Sequence, residues 1–211
     1  MHRAEHAPAF MLHQRPWGDS GRVIELFTRD HGRLSVFARG VRGAQARLAA
    51  VLQPFVPLLV SWAGRGEAPR LTGAEVDRPR QPVAPLPHGR LLSAWYVSEL
   101  VLTLTARHDP QPELFACYAA ALADLRTDAG HERTLRLFEK RLLDVLGYGV
   151  AELDEACFEN PAELARLRPV LRAAVARCLE GRTLRTRSVA VSLREFARTH
   201  GAEEPASRCR D

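Results

Sequence analysis

The stretch RVIELFTRDHGRLSVFAR (residues 22–39) decides how the N-terminal part of the chain is read. Its first part, Arg22 to Thr28, is an apolar run rich in β-formers. Its last part, Arg33 to Arg39, alternates: Leu34, Val36 and Ala38 fall on one face of an extended chain, Arg33, Ser35, Phe37 and Arg39 on the other. A period of two marks a strand with one buried face. Arg29-Asp30-His31-Gly32 lies between the two runs as a four-residue connection, so the stretch reads as a β-hairpin.

Working outward, Ala9 to His13 is a preceding apolar run, closed by Arg15-Pro16 and by Gly18-Asp19-Ser20-Gly21. Phe55 to Trp62 follows; Pro57 within it implies an edge or bulged strand. Arg70 to Val76 is a weaker fifth run. Five short strands in so few residues predict a small closed barrel with the strand count of an OB-fold. The segment RPRQPVAPLP (78–87) carries four prolines and reads as a linker.

Beyond the linker the period becomes helical. One helix starts at Leu91 and runs to about Arg107, and Asp109-Pro110 separates it from a second, about Pro112 to Leu125. A third, about His131 to Leu146, has the stripe Leu135, Phe138, Leu142 and Leu146 and ends at Gly147-Tyr148-Gly149. Asn160-Pro161 opens a helical region that Pro169 interrupts or restarts, and a last helix covers about Ser188 to His200. The expected class is therefore α+β: an N-terminal five-stranded OB-fold barrel (1–80), a Pro-rich linker (81–88), an all-helical domain (89–200) and a flexible tail (201–211).

The chain of 211 residues has a net charge of +5. Residues 1–80 hold 12 Arg against 7 acidic side chains, whereas the remainder balances 18 against 18. The positive excess sits in the barrel segment, as expected of a module that meets a polyanion. All basic residues but Lys140 are Arg, a skew that runs along the whole chain and so marks no single site. No apolar run approaches the length of a membrane span, and the N-terminal MHRAEHAPAFMLHQRP has no apolar stretch long enough for a signal peptide core. Cys117, Cys157, Cys178 and Cys209 are widely spaced without a C-x-x-C pair, which argues against a disulfide framework or a zinc site and for a reducing cytoplasm.

Enzyme signatures fail on context. Gly18-Asp19-Ser20-Gly21 resembles a protease nucleophile turn, but no histidine and aspartate pair precedes it as that chemistry requires. Gly64-Arg65-Gly66 lacks the third glycine and the helix of a dinucleotide site. His2 and His6 have ligand spacing but fall in a stretch read as a disordered tail. No catalytic residue, metal or cofactor is expected. Clustered carboxylates of a metal nuclease are also missing from the pattern.

Single-strand binders of the barrel type combine cations along the backbone with aromatic faces for the bases. Arg33, Phe37 and Arg39 share one face of the third strand, Arg42 and Arg47 continue from it, and Arg65 and Arg70 flank the next turn. Phe10, Phe27, Phe55 and Trp62 are expected in the core instead. On the third helix Arg133, Arg136 and Lys140 share a side suited to a carboxylate-rich peptide, or form a solvated face paired with Glu132 and Glu139. Arg185 and Arg187 belong to a second basic cluster, RTLRTR (182–187).

Several fragments occur together and in order: AFMLHQRPW (9–17), ELFTRDHGRL (25–34), ARGVR (38–42), LQPFVPLL (52–59), GRGE (64–67), YVSEL (96–100), HDPQPELF (108–115), LRLFEKRLLDVLGYG (135–149) and LEGRTLRTR (179–187). Jointly they resemble the RecO family of bacterial recombination mediators. The resemblance implies an OB-fold followed by helices, and binding and annealing of single- and double-stranded DNA. It also implies work with RecR, and in some bacteria RecF, to help RecA replace the single-stranded-DNA-binding protein, whose acidic C-terminal tail such proteins bind. The family's tail-binding arginine falls on Arg136, and the implied setting is the nucleoid in the cytoplasm. Two departures stand out. Gly43-Ala44-Gln45-Ala46 replaces the basic residues many relatives carry, implying a looser grip on DNA. The region after GYG is compressed to about 150–167 with Cys157 alone, implying no zinc. The alternative reading is a non-catalytic protein-interaction adaptor that binds DNA only incidentally.

Overall fold

The computed structural model describes residues 2–19, 21–39, 50–77, 84–127, 130–149 and 153–200. Arg42, Arg47, Ser20, the start of the Pro-rich segment and residues 201–211 lie outside them. The strands are β1 (His2–Trp17), β2 (Gly21–Thr28), β3 (Gly32–Ala38), β4 (Leu58–Gly64) and β5 (Arg70–Val76). They neighbour one another in the order β1-β2-β3-β5-β4, and β4 returns to β1, closing an OB-fold barrel.

The hairpin register runs from Arg22↔Ala38 to Thr28↔Gly32, so Ile24 and Leu26 face inward beside Val36 and Leu34. With Met11, Leu58, Val60, Trp62 and Leu71 they fill the barrel interior. β1 starts at His2, not at Ala9, so the N-terminal residues are strand and not a disordered tail. The difference has a tertiary cause. Register shifts between Ala4 and Ala7 and between Met11 and His13 bend β1, and its first half pairs with β4 while its second pairs with β2. Pro57 stands just before β4, where it interrupts no ladder.

Among the described residues the helical part comprises α1 (Leu91–Leu104), α2 (Pro112–Asp124), α3 (His131–Val145), α4 (Pro161–Cys178) and α5 (Arg185–His200). None of these helices is long and apolar enough to cross a membrane. α4 runs through Pro169 without breaking. The lost amide donor is outweighed by the buried stripe Leu167, Leu171, Ala174, Val175 and Cys178 on either side of it. α5 begins three residues before the expected Ser188. The Glu99 carboxylate of α1 accepts the Arg185 and Thr186 amides at 2.7 and 2.9 Å, a cap supplied by another helix.

α1 stops at Leu104, short of the expected Arg107. Residues 105–109 instead form a strap along β3, with Arg107 bridged to Arg33, a left-handed turn at His108 (φ 58°), and the His108 amide donating to the Arg33 carbonyl at 2.9 Å. Barrel and helices share one core here. Phe10 of β1 lies 5.3 Å from Phe115 and 5.1 Å from Tyr118, and Phe27 of β2 meets the same two rings at 5.5 and 5.9 Å. Burying such side chains contributes roughly 1.5–3 kcal/mol each. Arg126 adds a polar tie, donating to the Phe55 carbonyl at 2.5 Å.

Candidate nucleic-acid interface

Paired residues of an antiparallel sheet share a face, so the registers trace one outer surface across the barrel. On it Phe10, Phe27 and Glu25 lie under the helices. Further along come Arg15, paired with Val23, which pairs with Phe37, which bridges Arg70 of β5. The last row holds Trp17 opposite Gly21, and Arg39 follows directly on the end of β3, whose Ala38 pairs with Arg22. The covered part of the face thus grades into an open one.

The open part has the composition a single strand needs. Trp17 is 56% exposed, and the Arg15 guanidinium lies 5.6 Å from its ring centroid. Arg39 and Arg70 are exposed and Phe37 half-buried. A Cβ on Gly21 would meet the Phe37 ring at 2.8 Å, so the bare β2 backbone is what lets that ring lie down on the sheet. The Phe37 amide donates to the Pro69 carbonyl at 2.8 Å, which draws the 65–69 bend, with exposed Arg65, to the rim of the stripe. Loops after the first and fourth strands flank the ligand face in barrels of this kind.

Arg33 is elsewhere. It shares the parity of Phe37 and Arg39, but its side chain is only 14% exposed. It donates to the Thr105 carbonyl at 2.9 Å and pairs with Glu25 at 3.4 Å, leaving no free edge for a phosphate. The expected nucleic-acid role is therefore replaced by one in the junction between barrel and helices. Glu25 accepts from Ser35 and Arg107 at 2.5 Å each. Burial alone would raise its pKa. The two hydrogen bonds and the charges of Arg107 and Arg33 outweigh it and hold the carboxyl below its usual range.

The basic residues of α3 also separate. Arg133 pairs with Glu159, and Lys140 pairs with Asp144 at 2.7 Å. Arg136 alone of the three lines a cavity of about 400 Å³, together with Arg168, Arg172 and Arg187 and the apolar Leu92, Leu135 and Ala190. Arg136 pairs with fully buried Glu139 at 2.8 Å, and Glu139 accepts from the Tyr96 hydroxyl at 2.6 Å. Burial pushes the Glu139 carboxyl up, against the pull of Arg136 and Tyr96. The Arg136 Nε is buried and has no hydrogen-bond partner among the described residues. His131 is held below the usual imidazole range, first by burial and then by Arg90. Glu132 also lines the cavity and pairs with Arg168 at 3.4 Å, so one of its four arginines is partly neutralised. Arg187 therefore lines this cavity, whereas Arg185 lies beside Trp95 and Glu99 in a separate apolar groove.

Trp17 and Arg15 were not among the sequence candidates, nor were Arg168 and Arg172. RPW (15–17) reads first as turn punctuation, and only its exposure marks it. The pair on α4 carries no signal until the helices are docked.

The sequence matches two family models, Recombination protein O N terminal over residues 1–80 and Recombination protein O C terminal over residues 89–198. The chain belongs to the RecO family. The DNA repair protein RecO of Nitrosococcus oceani is 41% identical over 156 residues, covering 74% of this chain and 62% of the relative. That of Methylococcus capsulatus is 44% identical over 142 residues, 67% and 57% of the two chains. That of Haemophilus influenzae (strain Rd) is 39% identical over 163 residues, 77% and 68%. The match thus spans about three-fifths of the length of the first two RecO relatives. Both the barrel that carries the stripe and the helices that enclose the cavity fall within the RecO matches.

Proposed function

We propose that this chain is a non-catalytic DNA-binding recombination mediator of the nucleoid. It holds single strands on the open barrel face and anneals complementary strands by neutralising two phosphate backbones at once. It docks on the acidic tail of the single-stranded-DNA-binding protein, and acts with RecR, and with RecF where present, to help load recombinase. The observation that carries the reading is the contiguous stripe of Arg15, Trp17, Phe37 and Arg70 on one outer face, with exposed Arg39 directly after β3. Family membership supports it, since relatives bear the name DNA repair protein. The arginine-lined cavity, with apolar walls beside Arg136, suits a tail that ends in carboxylates next to a hydrophobic side chain.

Fluorescence anisotropy with labelled single-stranded DNA across a salt series tests the barrel. Binding is expected to weaken steeply with salt. Trp17→Ala is expected to cost about 1.5 kcal/mol, roughly tenfold in affinity, by removing one stacking face. Weak binding even at low salt, with normal tail binding, would favour the adaptor reading. For the cavity, Arg136→Ala is expected to weaken binding of a tail peptide by about 2 kcal/mol, measured by calorimetry. Unchanged peptide binding in that variant removes the assignment of the tail to this cavity.

A further inference from the structure

The open stripe continues past the edge of the barrel. Two residues before Phe37 on β3, Ser35 stands opposite Glu25 on the same outer face. Over that pair lies Arg107, brought from the strap between α1 and α2. Its Nη1 donates to Ser35 Oγ at 2.6 Å and its Nη2 to Glu25 Oε1 at 2.5 Å. The side chain nevertheless remains 44% exposed, against 14% for Arg33, the other cation on the same carboxylate. Two guanidiniums share one negative charge, so this junction carries one surplus positive charge. The more accessible of the two presents it to solvent.

Successive outward residues of a strand lie about 7 Å apart. The rows headed by Trp17, by Arg15, Phe37 and Arg70, and then by Arg107 therefore form an evenly stepped line. That line crosses from one domain to the other. We propose that Arg107 contacts a phosphate and extends the single-strand track of the barrel onto the helical domain. The proposal rests on the reading of the barrel stripe as the nucleic-acid face. It adds that a bound strand touches both domains, and that the same guanidinium serves the junction and the ligand.

Arg107→Gln in the full chain separates these roles. The amide can still donate to Ser35 or Glu25, and Arg33 keeps Glu25 paired, so the fold is retained. Anisotropy with a short labelled oligothymidylate is expected to show about threefold weaker binding at low salt. The slope of log affinity against log salt is expected to become shallower by about 0.7, the share of one cation on a single strand. Arg107→Lys is expected to restore most of both. A residue that only braces the junction would change the thermal midpoint and leave the salt slope alone. If Arg107→Gln binds with the parent slope while Trp17→Ala and Arg39→Ala weaken binding, the track ends at the barrel and the proposal is wrong. If Trp17→Ala and Arg39→Ala also bind like the parent, the stripe is not the nucleic-acid face and the proposal falls with it.

Discussion

A chain carrying Gly32→Ala is expected to lose about 4 kcal/mol of stability, with barrel and helices coming apart before either unfolds fully. Two independent effects add at this position. Gly32 has φ +65°, a left-handed conformation that costs a residue with a Cβ about 1–2 kcal/mol. A Cβ there would also lie 2.5 Å from the Asp109 carbonyl carbon and 2.7 Å from the Asp109 nitrogen. The strap backbone, and not a movable side chain, occupies that space. Relief requires the strap to lift off β3, which breaks the Arg33–His108 hydrogen bond and loosens the partners of Arg107. Denaturant unfolding followed at both the tryptophan and the far-ultraviolet signals checks this. A single transition at the parent midpoint would contradict it.

Glu25→Gln is expected to cost about 3 kcal/mol, because it leaves Arg33 buried with no compensating charge and close to a second guanidinium. The double variant Glu25→Gln/Arg33→Met should recover part of that loss, since the stranded cation goes with its partner. The same group makes stability depend on pH. Folding holds the Glu25 carboxyl below its unfolded pKa, so its contribution is complete above the ordinary carboxylate range and disappears as pH falls through the depressed value. Thermal midpoints of the parent should therefore drop more on acidification than those of Glu25→Gln. Parallel pH profiles for the two would show that the carboxylate does not hold the junction.

The hairpin of residues 22–39 was legible because alternation, turn chemistry and strand length agree locally. β1 before Ala9 was not, since HRAEHAP has no apolar period and becomes a strand through β4. Parity assigned Arg33 to the correct face of β3, but periodicity says nothing of what covers a face. The strap that buries Arg33 comes from residues 105–109, of which the helical pattern had absorbed those up to Arg107. The cavity shows the same limit. Arg136 stood out within LRLFE (135–139), whereas Arg168, Arg172 and Arg187 reach it from α4 and α5, and Arg187 had been expected on the DNA side.

The cap on α5 bears on the order of folding. The first turn of that helix has no acidic residue of its own, and its leading amides are satisfied by Glu99, a residue more than eighty positions earlier in the chain. An isolated segment of this length is a marginal helix in water. α5 can therefore consolidate only after α1 has formed and taken its place, closing a loop that spans most of the helical domain. Its first turn is a late event on the folding route and an early one in local opening. Arg187, carried on that turn, takes up its position in the cavity only once the rest of the helical domain is complete.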